Sequence, residues 1–103
     1  MYENLIPNIH PGEVLREEFL KPMGITPYRV AKATHIPATR ISEIIKERRG
    51  ISADTALRLG KYFGTSAEFW LGLQMEYELR ETRMQKENEL KKIETYQPLT
   101  SQN

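Results

Sequence analysis

The chain repeatedly starts and stops a helix between Pro11 and Gly64, and this punctuation is what most limits its fold. Thr26-Pro27 is a capping residue followed by proline at a first helical position, and Ser52 is a second cap ahead of ADTALRLGKYF. Pro11-Gly12 opens an earlier segment, EVLREEFLK, with Glu13 and Glu17 early, where the helix dipole favours anions. His35-Ile36-Pro37 separates the second helix, YRVAKAT, from a third over roughly 38–46. Gly64 closes the fourth. Thr65 or Ser66 opens the fifth, and Thr65 and Glu68 have capping-box spacing. No β-branched alternation or Asn-Gly hairpin signal competes, so the expected class is all-α.

The apolar residues fit short amphipathic helices. Val14, Leu15 and Phe19 form the stripe of the first, which Pro22 is expected to end; Val30, Ala31 and Thr34 form the small inner face of the second. Ile41, Ile44 and Ile45 share one side of the third, with Ile36 just before it. Ala56, Leu57, Leu59, Gly60 and Phe63 mark the expected inner side of the fourth. Phe69, Trp70, Leu73 and Tyr77 follow at helical intervals, with Trp70 expected in the core. Beyond Glu78 the charge-rich sequence reads as a helix decaying into a mobile tail, QPLTSQN.

At 103 residues the chain has room for one small core. It has no cysteine, no apolar run near the ~20 residues of a membrane span, and no signal-peptide pattern in MYENLIPNIH, so a cytoplasmic location and no membrane partner are expected. The net charge of +1 hides an asymmetry. Residues 24–64 hold eight Lys/Arg against Glu43, Glu47 and Asp54, while the segments on either side are net acidic. Such a centre suits a polyanion, although chance clustering gives the same count.

Catalysis finds little to stand on. His10 and His35 are the only histidines, with no metal-ligand spacing, and the glycines are scattered rather than gathered into a phosphate loop. Ser42/Glu43 and Ser52/Asp54 read as caps and surface residues, so no enzyme, cofactor or metal is expected. The second and third helices, short and closely joined, match a helix-turn-helix. The outer side of the third carries Thr39, Ser42, Glu43 and Lys46, with Arg40 on its flank. In a major groove Arg40 could pair with a guanine, Thr39 could touch a thymine methyl, and Glu43 could accept from a cytosine or hold Arg40. Lys46, Arg48 and Arg49 suit phosphates, as do Arg29 and the helix start from Thr26 to Tyr28. The competing reading is a plain helical bundle whose basic residues are solvated.

The stretch from IHPGEVLREEFLKPMG through ISADTALRLGKYFGTSAEFWLGLQ to Arg80 resembles the HigA antitoxins, also called virulence-associated protein I, of the lambda-repressor-like class. The resemblance covers about residues 9–80, and FGTSAEFWLGLQ after TALRLG is its most specific part. It implies a five-helix domain that dimerises on a palindromic operator in double-stranded DNA. It further implies a HigB-type toxin, an mRNA interferase, neutralised by direct binding, with repression of the protein's own operon. Carried over to this chain, base readout falls to Thr39 and Arg40 with Ala38, Ser42 and Glu43, and backbone contacts to Tyr28, Arg29, Lys46, Arg48 and Arg49.

Three positions depart from the family pattern. His35 and Glu47 stand where glycine is usual, so the helix end at Glu47 is expected to be irregular, and Pro27-Tyr28 replaces a frequent glutamine. The expected organisation is an arm over 1–10, the helix-turn-helix domain over 11–80, and a charged extension over 81–103. A stand-alone regulator without a toxin, and a protein-interaction module with a basic centre, remain the alternatives at this level.

Overall fold

A computed structural model describes residues 7–99, so the start of the expected arm, residues 1–6, and the last four residues of the tail lie outside the described residues. Helix α1 comprises three continuous segments, Pro11–Val14, Leu15–Leu20 and Lys21–Met23, of which the middle one is π-helical. His10 caps it from an extended backbone: its Nδ1 accepts the Gly12 N–H at 2.8 Å, a role the sequence did not suggest. Pro22 does not end the helix as expected. Within the π-turn the Lys21 N–H reaches back to the Arg16 carbonyl, and this wider winding accommodates the proline and its missing donor. Gly24, at φ +65°, makes the stop instead.

Helices α2 (Pro27–Thr34) and α4 (Ala53–Phe63) begin at the expected caps. The Thr26 and Ser52 hydroxyls accept the N–H groups of Arg29 and Thr55 at 3.1 and 3.2 Å. Helix α3 runs Ala38–Ile45, α5 Ala67–Gln85, and a short α6 Glu87–Lys91 continues the charged extension. The described residues contain no strand. No helix among them is long and apolar enough to cross a membrane.

The start of α5 selects one of the two caps that the sequence allowed. Ser66, not Thr65, is the cap, its hydroxyl accepting the Phe69 N–H at 3.0 Å. Thr65 instead accepts the Trp70 indole N–H at 2.8 Å, and that partner lets the indole be completely buried. Phe19 lies 5.0 Å from the Trp70 ring and 4.9 Å from Phe63, tying α1, α4 and α5 through aromatic contacts. Leu57 is a correction to the sequence reading: it is 64% exposed, and Thr55 is buried in its place. Ala56, Leu59, Gly60 and Phe63 centre the inner face of α4, and Leu57 lies about 120° round the helix from that centre.

Leu15, Val30, Ile41, Ile44, Leu59 and Trp70 fill a core to which α1 through α5 all contribute. The first turn of α1 packs on the end of α3 so closely that a Cβ on Gly12 would fall 1.8 Å from the Ile44 carbonyl oxygen. Gln74 of α5 accepts the Ile51 N–H at 2.7 Å, fixing the loop that leaves α3. The C-terminal end of α3 is therefore held from both α1 and α5.

Candidate nucleic-acid interface

The α2–α3 pair is joined by His35, Ile36 and Pro37. His35 takes the left-handed conformation at φ +61°, and the Ile36 N–H donates to the Ala31 carbonyl at 3.2 Å. This six-to-one bond marks a Schellman turn, and it drops the Ile36 side chain into the core, where it is 3% exposed. At the far end of α3, the Glu47 N–H donates to the Ile44 carbonyl at 2.9 Å and the Arg48 N–H to the Glu43 carbonyl at 2.8 Å. Glu47, at φ +63°, holds the position where glycine is usual. The expected irregular helix end is thus a regular Schellman closure made without glycine. The Arg16 guanidinium stabilises it by donating to the Ile45 carbonyl and pairing with Glu47 at 3.3 Å.

Two flanking turns and one buried stripe fix what α3 presents. Ile41 and Ile44 are fully buried and Ile45 partly so, which turns the opposite side outward. Ala38 and Thr39 are exposed in the first turn; Arg40, Ser42 and Glu43 are half-buried on the flanks. Arg40 is not held by Glu43, which the sequence allowed. Glu43 pairs with Arg49 at 2.6 Å, whereas Nη1 of Arg40 lies 3.6 Å from Asp54 of α4. Asp54 is also bound by Nε of Arg58 at 3.0 and 3.1 Å. Reading Asp54 as a surface residue missed this contact; its spacing to Arg58 was the one available signal.

Lys46 and Arg48 are exposed beside the end of α3, and Arg29 is exposed in the first turn of α2. None of these three has an ion-pair partner among the described residues, so their charge is available to an anion. Tyr28 is 64% exposed, with Nζ of Lys32 5.7 Å from its ring centroid. Thr26 is exposed, and its hydroxyl oxygen is engaged by the Arg29 N–H. Arg49 differs from the others because Glu43 already neutralises it.

Comparison with known proteins agrees with this geometry. The helix-turn-helix family matches residues 17–70, which include α2, the turn, α3 and α4. Virulence-associated protein I of Dichelobacter nodosus is 52% identical over 86 residues, covering 84% of this chain and 80% of that protein. The uncharacterized HTH-type transcriptional regulator YbaQ of Escherichia coli is 34% identical over 87 residues, covering 82% and 77% respectively. Among solved structures, the Pseudomonas aeruginosa antitoxin HigA with the higBA promoter superposes with a TM-score of 0.84 at 44% identity, over 88% of this chain and all of that one.

Proposed function

The chain belongs to the HigA and virulence-associated protein I family of helix-turn-helix proteins, and on that premise we propose that it is the DNA-binding antitoxin of a toxin–antitoxin pair. In this reading it binds a palindromic operator as a homodimer, represses its own operon and neutralises a HigB-type mRNA interferase by direct binding. It acts in the cytoplasm, where its DNA is.

The observation that carries the DNA-binding half is the outward side of α3: exposed Thr39 and a flanking Arg40, bordered by the unpaired cations Arg29, Lys46 and Arg48. A base edge needs a donor fork and a small contact surface, which Arg40 and Thr39 supply, with Ala38, Ser42 and Glu43 shaping the fit. Phosphates need positive charge at the borders, which the cations supply without reading sequence. Tyr28 and Thr26 join them at the start of α2. Arg49, paired with Glu43, contributes once that pair opens. The structural likeness to an antitoxin bound to promoter DNA supports the same assignment.

A gel-shift titration with the DNA upstream of the chain's own reading frame, against a scrambled duplex, tests it. Arg40→Ala flattens the preference, whereas Lys46→Ala weakens both complexes and lowers the salt slope by about one. A dimer protects two half-sites about one helical turn apart. An Arg40→Ala protein that keeps full preference removes the readout assignment. Co-purification with the product of the adjacent gene, and suppression of its mRNA cleavage, test the antitoxin half. The likeness to the regulator YbaQ favours one second reading, a regulator without a toxin, and the absence of any such neighbour selects it.

A further inference from the structure

The Asp54 carboxylate sits between two guanidiniums from different helices. Nε of Arg58, four residues on in α4, approaches both carboxylate oxygens at 3.0 and 3.1 Å. Nη1 of Arg58 donates to the Thr34 carbonyl at 3.0 Å and lies 3.4 Å from the His35 carbonyl, at the helix-turn-helix turn. On its other side Asp54 meets Nη1 of Arg40 at 3.6 Å. The end of α2, the start of α4 and the flank of α3 are thus linked by a carbonyl–guanidinium–carboxylate–guanidinium chain.

We propose that Asp54 is a positioning residue for sequence readout, aiming the Arg40 guanidinium from the first turn of α4, with Arg58 fixing the carboxylate from behind. This rests on the proposed role of Arg40 in base readout. A free arginine loses much rotamer freedom when it docks on a guanine, and a side chain already confined loses less. The long Arg40–Asp54 separation is an ion pair rather than a hydrogen bond, so the other guanidinium N–H groups stay free to donate. With side chains 34% and 58% exposed, the pair is held weakly enough to yield to a base. The same exposed carboxylate repels a phosphate that approaches without the correct base, so it penalises non-specific docking.

The test measures affinity for the upstream duplex and for the scrambled duplex, and takes their ratio, for the full chain and its variants. Asp54→Asn is expected to lower the ratio about fivefold or more, tightening the scrambled complex while loosening the specific one. Asp54→Glu, which keeps the charge, is expected to hold the ratio within about twofold of the parent. In an Arg40→Ala background, Asp54→Asn is expected to leave the ratio where Arg40→Ala put it. A purely structural Asp54 would instead lower both affinities together and do so in either background. An unchanged ratio in Asp54→Asn, an equal fall in both backgrounds, or a ratio in Asp54→Glu as low as in Asp54→Asn overturns the role of Asp54. If the parent shows no preference, or Arg40→Ala keeps it, the readout reading falls first and the Asp54 role with it.

Discussion

His35 and Glu47 are the only non-glycine residues with positive φ among the described residues, and they stand in the turns before and after α3. The same six-to-one closure ends four helices: Ile25 to Leu20, Ile36 to Ala31, Arg48 to Glu43, and Thr65 to Gly60. Glycine makes the left-handed turn in the first and last, at Gly24 and Gly64. A side chain there brings Cβ against the following carbonyl at a cost of about 1 kcal/mol. Both strained closures therefore border the helix proposed to read DNA, the pattern expected where function rather than stability selects the residue. His35→Gly is expected to raise stability by about 0.5–1 kcal/mol, partly offset by the greater freedom of glycine in the unfolded chain. A urea midpoint that does not rise would show that the imidazole compensates in place. The left-handed turn at His35 was legible through the resemblance, which put glycine at that position, whereas at Glu47 it suggested only an irregular helix end. That Glu47 closes its helix regularly was not legible, since the closure depends on Arg16, 31 residues away in the chain.

Helix α1 shows how the same reasoning succeeds and fails within one element. Its acidic first turn and its inward Leu15 could be read directly, but its cap and its end could not. A histidine is an uncommon cap, and the role depends on the ring being buried beside Tyr77, with centroids 4.8 Å apart. Pro22 misled because the remedy, a π-turn, leaves no mark in the sequence. Leu57 misled because a hydrophobic residue was counted where only the angle about the helix axis decides. The candidate site divides in the same way. Thr39 and Arg40 followed from the stripe of isoleucines, whereas the Arg40–Asp54 contact needed the packing of α4. The cap also has a pH consequence. Burial holds the His10 pKa below its ordinary value, and the nearby Glu47 only partly opposes this. The unfolded chain thus takes up the proton first as the pH falls. Stability is full above about pH 6.5 and is expected to decline from there through the lowered folded value. Comparing denaturant midpoints between pH 8 and 5 checks this: His10→Asn, an acceptor that does not titrate, should show a shallower decline than the parent. Equal slopes would place the proton uptake elsewhere.

The described residues span 62 × 28 × 22 Å, and the long axis has a structural explanation. Trp70 is the only buried residue of α5; the helix runs on to Gln85, and every described residue from Thr82 onward is exposed. Among the described residues, Asn8 of the N-terminal segment holds α5 by donating to the Tyr77 carbonyl at 2.9 Å and to Glu81 at 3.2 Å. Past Glu81 the helix has its own backbone bonds and pairs such as Lys86–Glu89 at 3.7 Å and Lys91–Glu87 at 3.5 Å. Exposed pairs of this kind contribute only a few tenths of a kcal/mol each. The folding unit and the charged extension should therefore separate cleanly. A chain ended after Gln85 is expected to unfold at the same urea midpoint as the full chain at low protein concentration, with the same m-value, because the removed segment buries no core surface. At high concentration the outcome depends on the exposed Leu79, Met84 and Leu90. If these join two copies, the full chain gains stability with concentration, and the shortened one, which keeps Leu79 and Met84 but loses Leu90, gains less. A lower midpoint for the shortened chain in the dilute limit would instead mean that the extension folds back onto the domain.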